Sequence, residues 1–214
     1  MQYKVLPVLL LFTWVSAFWT APTLAQNKII IAAFGDSLSA GYQLPPAAAF
    51  PNQLQKALAD KGIQVEVQNA AVSGDTASGG LSRLDWSIGP EVEGVILELG
   101  ANDALRGIDP KITRKAIDDM IARFKERGIE VLLAGMVAPP NLGNDFGKAF
   151  NSIYPDLAAK YEVDLYPFFL EGVATNPELN LPDRLHPTEE GVAVIVEGIL
   201  PKVEALLDRI DEAS

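Results

Sequence analysis

Five short apolar runs punctuate the chain, and helical patterns fill the gaps between them. The runs fall at residues 28–34 (KIIIAAF), 65–70 (VEVQNA), 94–99 (GVILEL), 130–137 (EVLLAGMV) and 163–168 (VDLYPF). Several are apolar at consecutive rather than alternate positions, as expected of strands buried on both faces. A sheet covered on both faces needs helices on both sides, and parallel strands joined by helical crossovers provide them. The order therefore predicts an α/β fold, a three-layer αβα sandwich around a five-stranded, mostly parallel, doubly wound sheet. Ligands of such sheets sit beyond the carboxyl ends of the strands, so the loops after the apolar runs are where chemistry is expected.

The helical stretches carry their own signals. Residues 51–61 place Leu54 and Leu58 one turn apart, with Gly62 as a stop. Asp109-Pro110 reads as the cap and first position of a helix whose apolar stripe is Ile112, Ala116, Ile117, Met120, Ile121 and Phe124, ended by Gly128. A third helix is predicted over 150–161, with Pro155 as a kink. A fourth is predicted over 188–210, with Pro201 as a break. Residues 76–88 are only weakly helical in pattern.

The N-terminus reads differently. Lys4 is the single charge before Lys28, and residues 5–19 (VLPVLLLFTWVSAFW) are almost continuously apolar. That run is short for a membrane-spanning helix of about 20 residues but suits the core of a secretory signal. Small residues at Thr23 and Ala25 precede polar Gln26, so residues 1–25 are expected to be a signal peptide and 26–214 the folded domain. The expected product is an exported protein, periplasmic or secreted, with no stable membrane insertion after processing. The competing expectation is an uncleaved N-terminal anchor.

Composition narrows the chemistry. The net charge of −11 disfavours a phosphate-backbone partner, so no nucleic acid is expected. Absence of cysteine excludes a thiol nucleophile, a thiolate metal site and a disulfide, and a single histidine, His186, excludes a histidine-rich metal centre. Neither a metal nor an organic cofactor is expected. Any Ser–His chemistry must take its imidazole from His186.

Four loop strings then stand out. Gly35-Asp36-Ser37 follows the first run, where a tight glycine exit and a following helix would expose a serine to donor amides. The position two after Ser37 is Ser39, so this is not a G-x-S-x-G elbow. Gly74 follows the second run and Asn102 the third. A glycine amide and a neutral asparagine amide could join the Ser37 amide as a three-donor oxyanion hole. Asp183 lies three residues before His186, close enough to fold back on its Nδ1. Each string also has a plainer reading, a helix cap at Asp36 or Ser37 and ordinary turns elsewhere.

Taken together and in this order, GDSLSAGY (35–42), NAAVSGDT (69–76), LELGANDALRG (97–107) and DRLHP (183–187) resemble the blocks of the SGNH, or GDSL, hydrolase superfamily. Within it the chain is similar to the bacterial thioesterase I, lysophospholipase and arylesterase group, and GMVAPPNLG (135–143) supports that placement. The resemblance implies a flavodoxin-like fold and a carboxylic ester hydrolase. It makes Ser37 the nucleophile, His186 the base, Asp183 its orienting acid, and Ser37, Gly74 and Asn102 the oxyanion donors. Arg184-Leu185 departs from the small and aliphatic pair expected between Asp183 and His186, which bears on substrate preference. The expected partner is a small acyl ester or thioester. Removal of acetyl groups from polysaccharide is an alternative enzyme reading, and an inactive lipid- or glycan-binding domain is the alternative from another class.

Overall fold

The computed structural model describes residues 1–2 and 28–213, so the expected leader lies outside the described residues beyond its first two positions. Five strands, β1 (Ile29–Gly35), β2 (Val65–Asn69), β3 (Gly94–Glu98), β4 (Glu130–Ala134) and β5 (Asp164–Tyr166), pair in the order β2-β1-β3-β4-β5. Every neighbouring pair is parallel. The helices between them are α1 (Ser37–Ala40), α2 (Phe50–Asp60), α3 (Ala77–Ser87), α4 (Ala101–Leu105), α5 (Pro110–Glu126), α6 (Asn144–Asn151), α7 (Ile153–Tyr161) and α8 (Glu189–Ala213). α2 and α8 cover one face of the sheet, and α3, α5 and α7 cover the other. This is the three-layer, flavodoxin-like sandwich.

Burial follows the apolar pattern. All five residues of β3 are buried, as the central strand of a covered sheet requires. Successive β1 residues face opposite layers. Phe34 meets Phe124 of α5 edge-on, with ring centroids 5.9 Å apart, while Ile31 lies towards α8 beside Gly94. Strand order reverses between β1 and β3, where the chain leaves β1 in one direction for β2 and later returns on the other side for β3. The crevice of a doubly wound sheet opens at such a reversal, and it holds the loops bearing Ser37 and Asn102.

Several boundaries differ from the pattern-based expectation. β4 stops at Ala134 rather than 137, and β5 at Tyr166 rather than 168, because Pro167 has no N–H to extend the ladder. Ile112 is exposed and Thr113 takes the inward position, donating to Asp103 Oδ1 at 2.9 Å. The helix expected over 150–161 is two helices parted at Ser152. In a continuous helix the Pro155 ring would strike the Asn151 carbonyl, so the break falls three residues before the proline. α8, by contrast, runs through Pro201 without interruption. Pro201 and Glu197, the residue whose carbonyl loses its partner, both face solvent, and buried Val196, Ile199, Val203 and Leu206 hold the helix on either side.

Candidate active site

β1 delivers the serine. At its end Asp36 is fully buried and caps α1, its Oδ1 accepting from the Leu38 N–H at 3.0 Å. The capping role considered for this turn therefore falls to Asp36. That leaves the Ser37 hydroxyl available, and its Oγ lies 2.9 Å from His186 Nε2.

His186 arrives from 149 residues away on a tight loop ahead of α8. Leu181 N–H donates to the His186 carbonyl, Arg184 N–H to the Leu181 carbonyl and Thr188 N–H to the Leu179 carbonyl. These bonds fold residues 179–188 into a small hairpin that fixes where the imidazole can be. Asp183 Oδ2 lies 2.7 Å from His186 Nδ1, and Asp183 Oδ1 accepts the N–H groups of Leu185 and His186. Desolvation pushes the Asp183 carboxyl up, but these hydrogen bonds outweigh it, so its pKa sits below the ordinary value. Asp183 is thus ionised at neutral pH and favours the tautomer with hydrogen on Nδ1, which leaves Nε2 able to accept the Ser37 proton. Tyr42 stacks against the imidazole with ring centroids 4.4 Å apart.

The three expected donors lie on the segments that follow β1, β2 and β3. Neither the Ser37 nor the Gly74 backbone N–H donates to another described residue. Gly74 has φ of 86°, a left-handed conformation that suits glycine. Asn102 Nδ2 donates one hydrogen to Asp36 Oδ2 at 3.0 Å. An amide nitrogen carries two hydrogens, so one remains for a ligand. Arg106 Nη2 joins the Gly74 carbonyl at 2.9 Å and approaches Asn102 Oδ1 at 3.4 Å, tying the second and third loops together. Gly100 makes the third loop possible, because with φ of 120° it leaves room for the Tyr154 hydroxyl, which donates to the Leu99 carbonyl.

Beneath the serine lies a buried acid layer that the sequence analysis did not identify. Glu98 Oε2 accepts from Ser39 Oγ at 2.8 Å and from the Asp36 N–H at 3.3 Å, while its Oε1 is buried without a hydrogen-bond partner. Burial, and then the charge of Asp36, push the Glu98 carboxyl well up. Burial also raises Asp36 to about 6 against the lowering bonds from Leu38 and Asn102. Above that pH Asp36 is the charged partner of the pair and Glu98 the neutral one.

Arg83 of α3 ties the end of β1 to the loop after β2. It is 5% exposed, bonds Asp75 Oδ2 at 2.5 Å and the carbonyls of Ala70 and Gly35 at 2.6 and 3.1 Å, and lies over the Phe34 ring. A charge in an otherwise apolar strand, Glu98 in GVILEL, is the sequence signal that would have revealed this layer.

A cavity of about 510 Å³ opens beside Ser37, Asn102 and His186. Its walls are mainly apolar, with Leu38, Leu105, Met136, Pro139, Phe168 and Leu170 among them. GMVAPPNLG, through Met136 to Pro140, and the segment around Phe168 therefore line the site. Among the described residues no group of His, Asp and Glu is arranged to hold a metal ion. No described helix is long and apolar enough to cross a membrane.

Comparison with known proteins finds clear relatives. The profile of the GDSL-like lipase/acylhydrolase family matches residues 33–194. An arylesterase of Vibrio mimicus is 41% identical over 179 residues, which span 83% of this chain and 88% of that protein. Esterase TesA of Pseudomonas aeruginosa is 36% identical over 189 residues, 88% of this chain and 92% of its own length. Among solved structures, the SGNH-hydrolase family esterase AlinE4 superposes with a TM-score of 0.71 at 43% identity, covering 84% of this chain and 97% of that one.

Proposed function

We propose a serine-dependent acyl transfer for this chain, which belongs to the GDSL-like lipase/acylhydrolase family and is a carboxylic ester hydrolase. Ser37 Oγ attacks the acyl carbon as its proton passes to His186 Nε2, and the carbonyl π electrons move onto oxygen. The resulting oxyanion is held by the N–H groups of Ser37 and Gly74 and the remaining hydrogen of Asn102 Nδ2. As the tetrahedral species collapses, the bond to the leaving oxygen breaks and His186 returns the proton to it. Water then attacks the acyl-Ser37 ester by the same route, releasing the acid and restoring Ser37. Asp183 keeps the imidazole in its working tautomer and offsets the positive charge it gains.

The observation that carries this reading is the relay Asp183–His186–Ser37, at 2.7 and 2.9 Å, on the wall of an apolar cavity large enough for an acyl chain. Esters rank above thioesters as the working substrates, because an exported enzyme would seldom meet intracellular acyl thioesters. Export itself is part of the proposal and rests on the apolar segment before Ala25.

One labelling experiment addresses both parts. Protein expressed with its own N-terminus in a bacterial host is treated with a fluorophosphonate probe, weighed intact and mapped by peptide sequencing. A single adduct on Ser37, in a chain beginning near Gln26, is the expected result. Labelling retained in Ser37→Ala would overturn the nucleophile, and recovery of only the full-length chain in membranes would overturn processing. Hydrolysis of p-nitrophenyl esters of increasing chain length then reports how far the cavity accepts an acyl group.

A further inference from the structure

Arg184 occupies an unusual place. Its backbone has φ of 60°, a left-handed conformation that disfavours a residue with a side chain, and it sits between Asp183 and His186. Among the described residues its guanidinium forms no ion pair and no side-chain hydrogen bond. It lines the 510 Å³ cavity and also a second cavity of about 350 Å³, whose other walls are Thr175, Asn176, Pro177 and Asn180. Thr175, a β-branched residue, is likewise left-handed, with φ of 67°. Two residues that resist this conformation thus meet at the junction of the two cavities. Backbone held against its preference is most often found where ligands bind.

The charge there is one-sided. The chain has 28 acidic and 17 basic residues, yet no carboxylate lines either cavity. Among the described residues lining them, Arg184 is the only arginine, and there is no lysine. Both cavities are mainly apolar, and the second carries the larger share of polar lining. The Asn180 amide is occupied by the carbonyls of Val173 and Asn176, and Asn176 Oδ1 by the Glu178 N–H. The donors left unused on its lining residues are therefore the Arg184 guanidinium, the Thr175 hydroxyl and the Asn176 amide.

We propose that Arg184, with Thr175 and Asn176, forms an oxyanion subsite for esters whose alcohol part carries a carboxylate or a phosphate. The side of the substrate follows from the chemistry. The leaving oxygen must take its proton from His186 Nε2, so the alcohol lies against the loop that carries His186, and Arg184 is two residues away on that loop. The acyl chain is left the apolar lining, which includes Leu105, Met136 and Pro139. A guanidinium pairs with such an oxyanion through paired N–H donors, and lysine reproduces the charge but not the fork.

This assignment rests on the ester-hydrolase reading, and its test separates the two. Two substrate pairs are compared: butyryl 4-hydroxybenzoate with its methyl ester, and a 1-acylglycerol 3-phosphate with the corresponding monoacylglycerol. The quantity read is kcat/KM for the anionic member divided by that for the neutral member, in wild type, Arg184→Asn and Arg184→Glu. Asparagine tolerates the left-handed backbone, so loss of the cation is not confused with a collapsed loop. The ratio is expected to fall about five- to twentyfold in Arg184→Asn and further in Arg184→Glu, and 0.5 M salt should lower it in wild type alone. A fall in the phosphate pair only identifies a lipid headgroup, and a fall in the benzoate pair only identifies a small soluble anion. Ratios that stay the same in all three proteins for both pairs overturn the subsite. Neutral-ester turnover surviving Ser37→Ala would overturn the hydrolase mechanism instead, whatever the ratios do.

Discussion

Asn102 shows how one side chain serves two masters at the residue scale. One of its amide hydrogens is held by the Asp36 carboxylate and its oxygen lies near Arg106, so the second hydrogen is fixed in direction before any substrate arrives. A donor aimed in advance at a developing charge acts on the transition state more than on the bound ester. Asn102→Ala should therefore lower kcat by about a hundredfold to a thousandfold with little change in KM, as steady-state kinetics would show. Asn102→Asp should be at least as impaired, since a carboxylate would repel both the oxyanion and Asp36. Early melting with normal turnover per folded molecule would instead make Asn102 a turn residue. The positions of Ser37, Gly74, Asn102, Asp183 and His186 were legible in the sequence because each follows a strand or precedes a helix in a short recognisable string. Tyr42, Arg106 and the acid layer were not. Their work depends on contacts across 32 to 144 positions that no local pattern records: Arg106 with Gly74, Asp36 with Glu98 and Asn102, Tyr42 with His186.

Elements were legible in proportion to their apolar regularity. The central strands announce themselves through consecutive apolar residues, and α5 through a six-residue stripe of which only Ile112 turned outward. α3 was faint because two of its four buried positions are Gly80 and Arg83, neither of which scores as apolar. Gly80 is inside because Leu99 leaves no space for a larger side chain, and Arg83 because four acceptors, on β1, the loop after β2 and α3 itself, surround its guanidinium. α8 illustrates the opposite error, since a proline stopped the helix in the sequence and did not stop it in the fold. Its apolar stripe of buried residues on both sides outweighs the lost Glu197 bond. Pro201→Ala should restore that bond and stabilise the protein by about 1–3 kcal/mol, less whatever the unfolded chain gains in freedom. Urea denaturation should show a higher midpoint with an unchanged slope, and a lower midpoint would mean the proline is favourable where it stands.

For the whole molecule, the buried acids set an opposition in pH dependence. Asp183, Asp118 and Asp164 have lowered pKa values, so their contributions are present above the ordinary aspartate range and are lost as pH falls through the folded values. Glu98 and Asp36 work the other way. Their raised values mean that the unfolded chain releases protons first as pH climbs, so the fold weakens from near the ordinary carboxylate range upward, until about 6 for Asp36 and beyond that for Glu98. Glu98→Gln removes the ionisable group yet keeps an oxygen for the Asp36 N–H and Ser39 hydroxyl. Its melting temperature relative to wild type should therefore rise between pH 5 and pH 8, as calorimetry at both would show, and a difference independent of pH would contradict the buried-acid account. The distance along the chain between Ser37 and His186 has a consequence during protein synthesis. The nucleophile leaves the ribosome first, and its base follows 149 residues later, directly ahead of α8. A chain stopped between residues 37 and 186 carries the serine without the imidazole, so hydrolytic capacity begins only when translation has passed His186 and its loop has closed over the first.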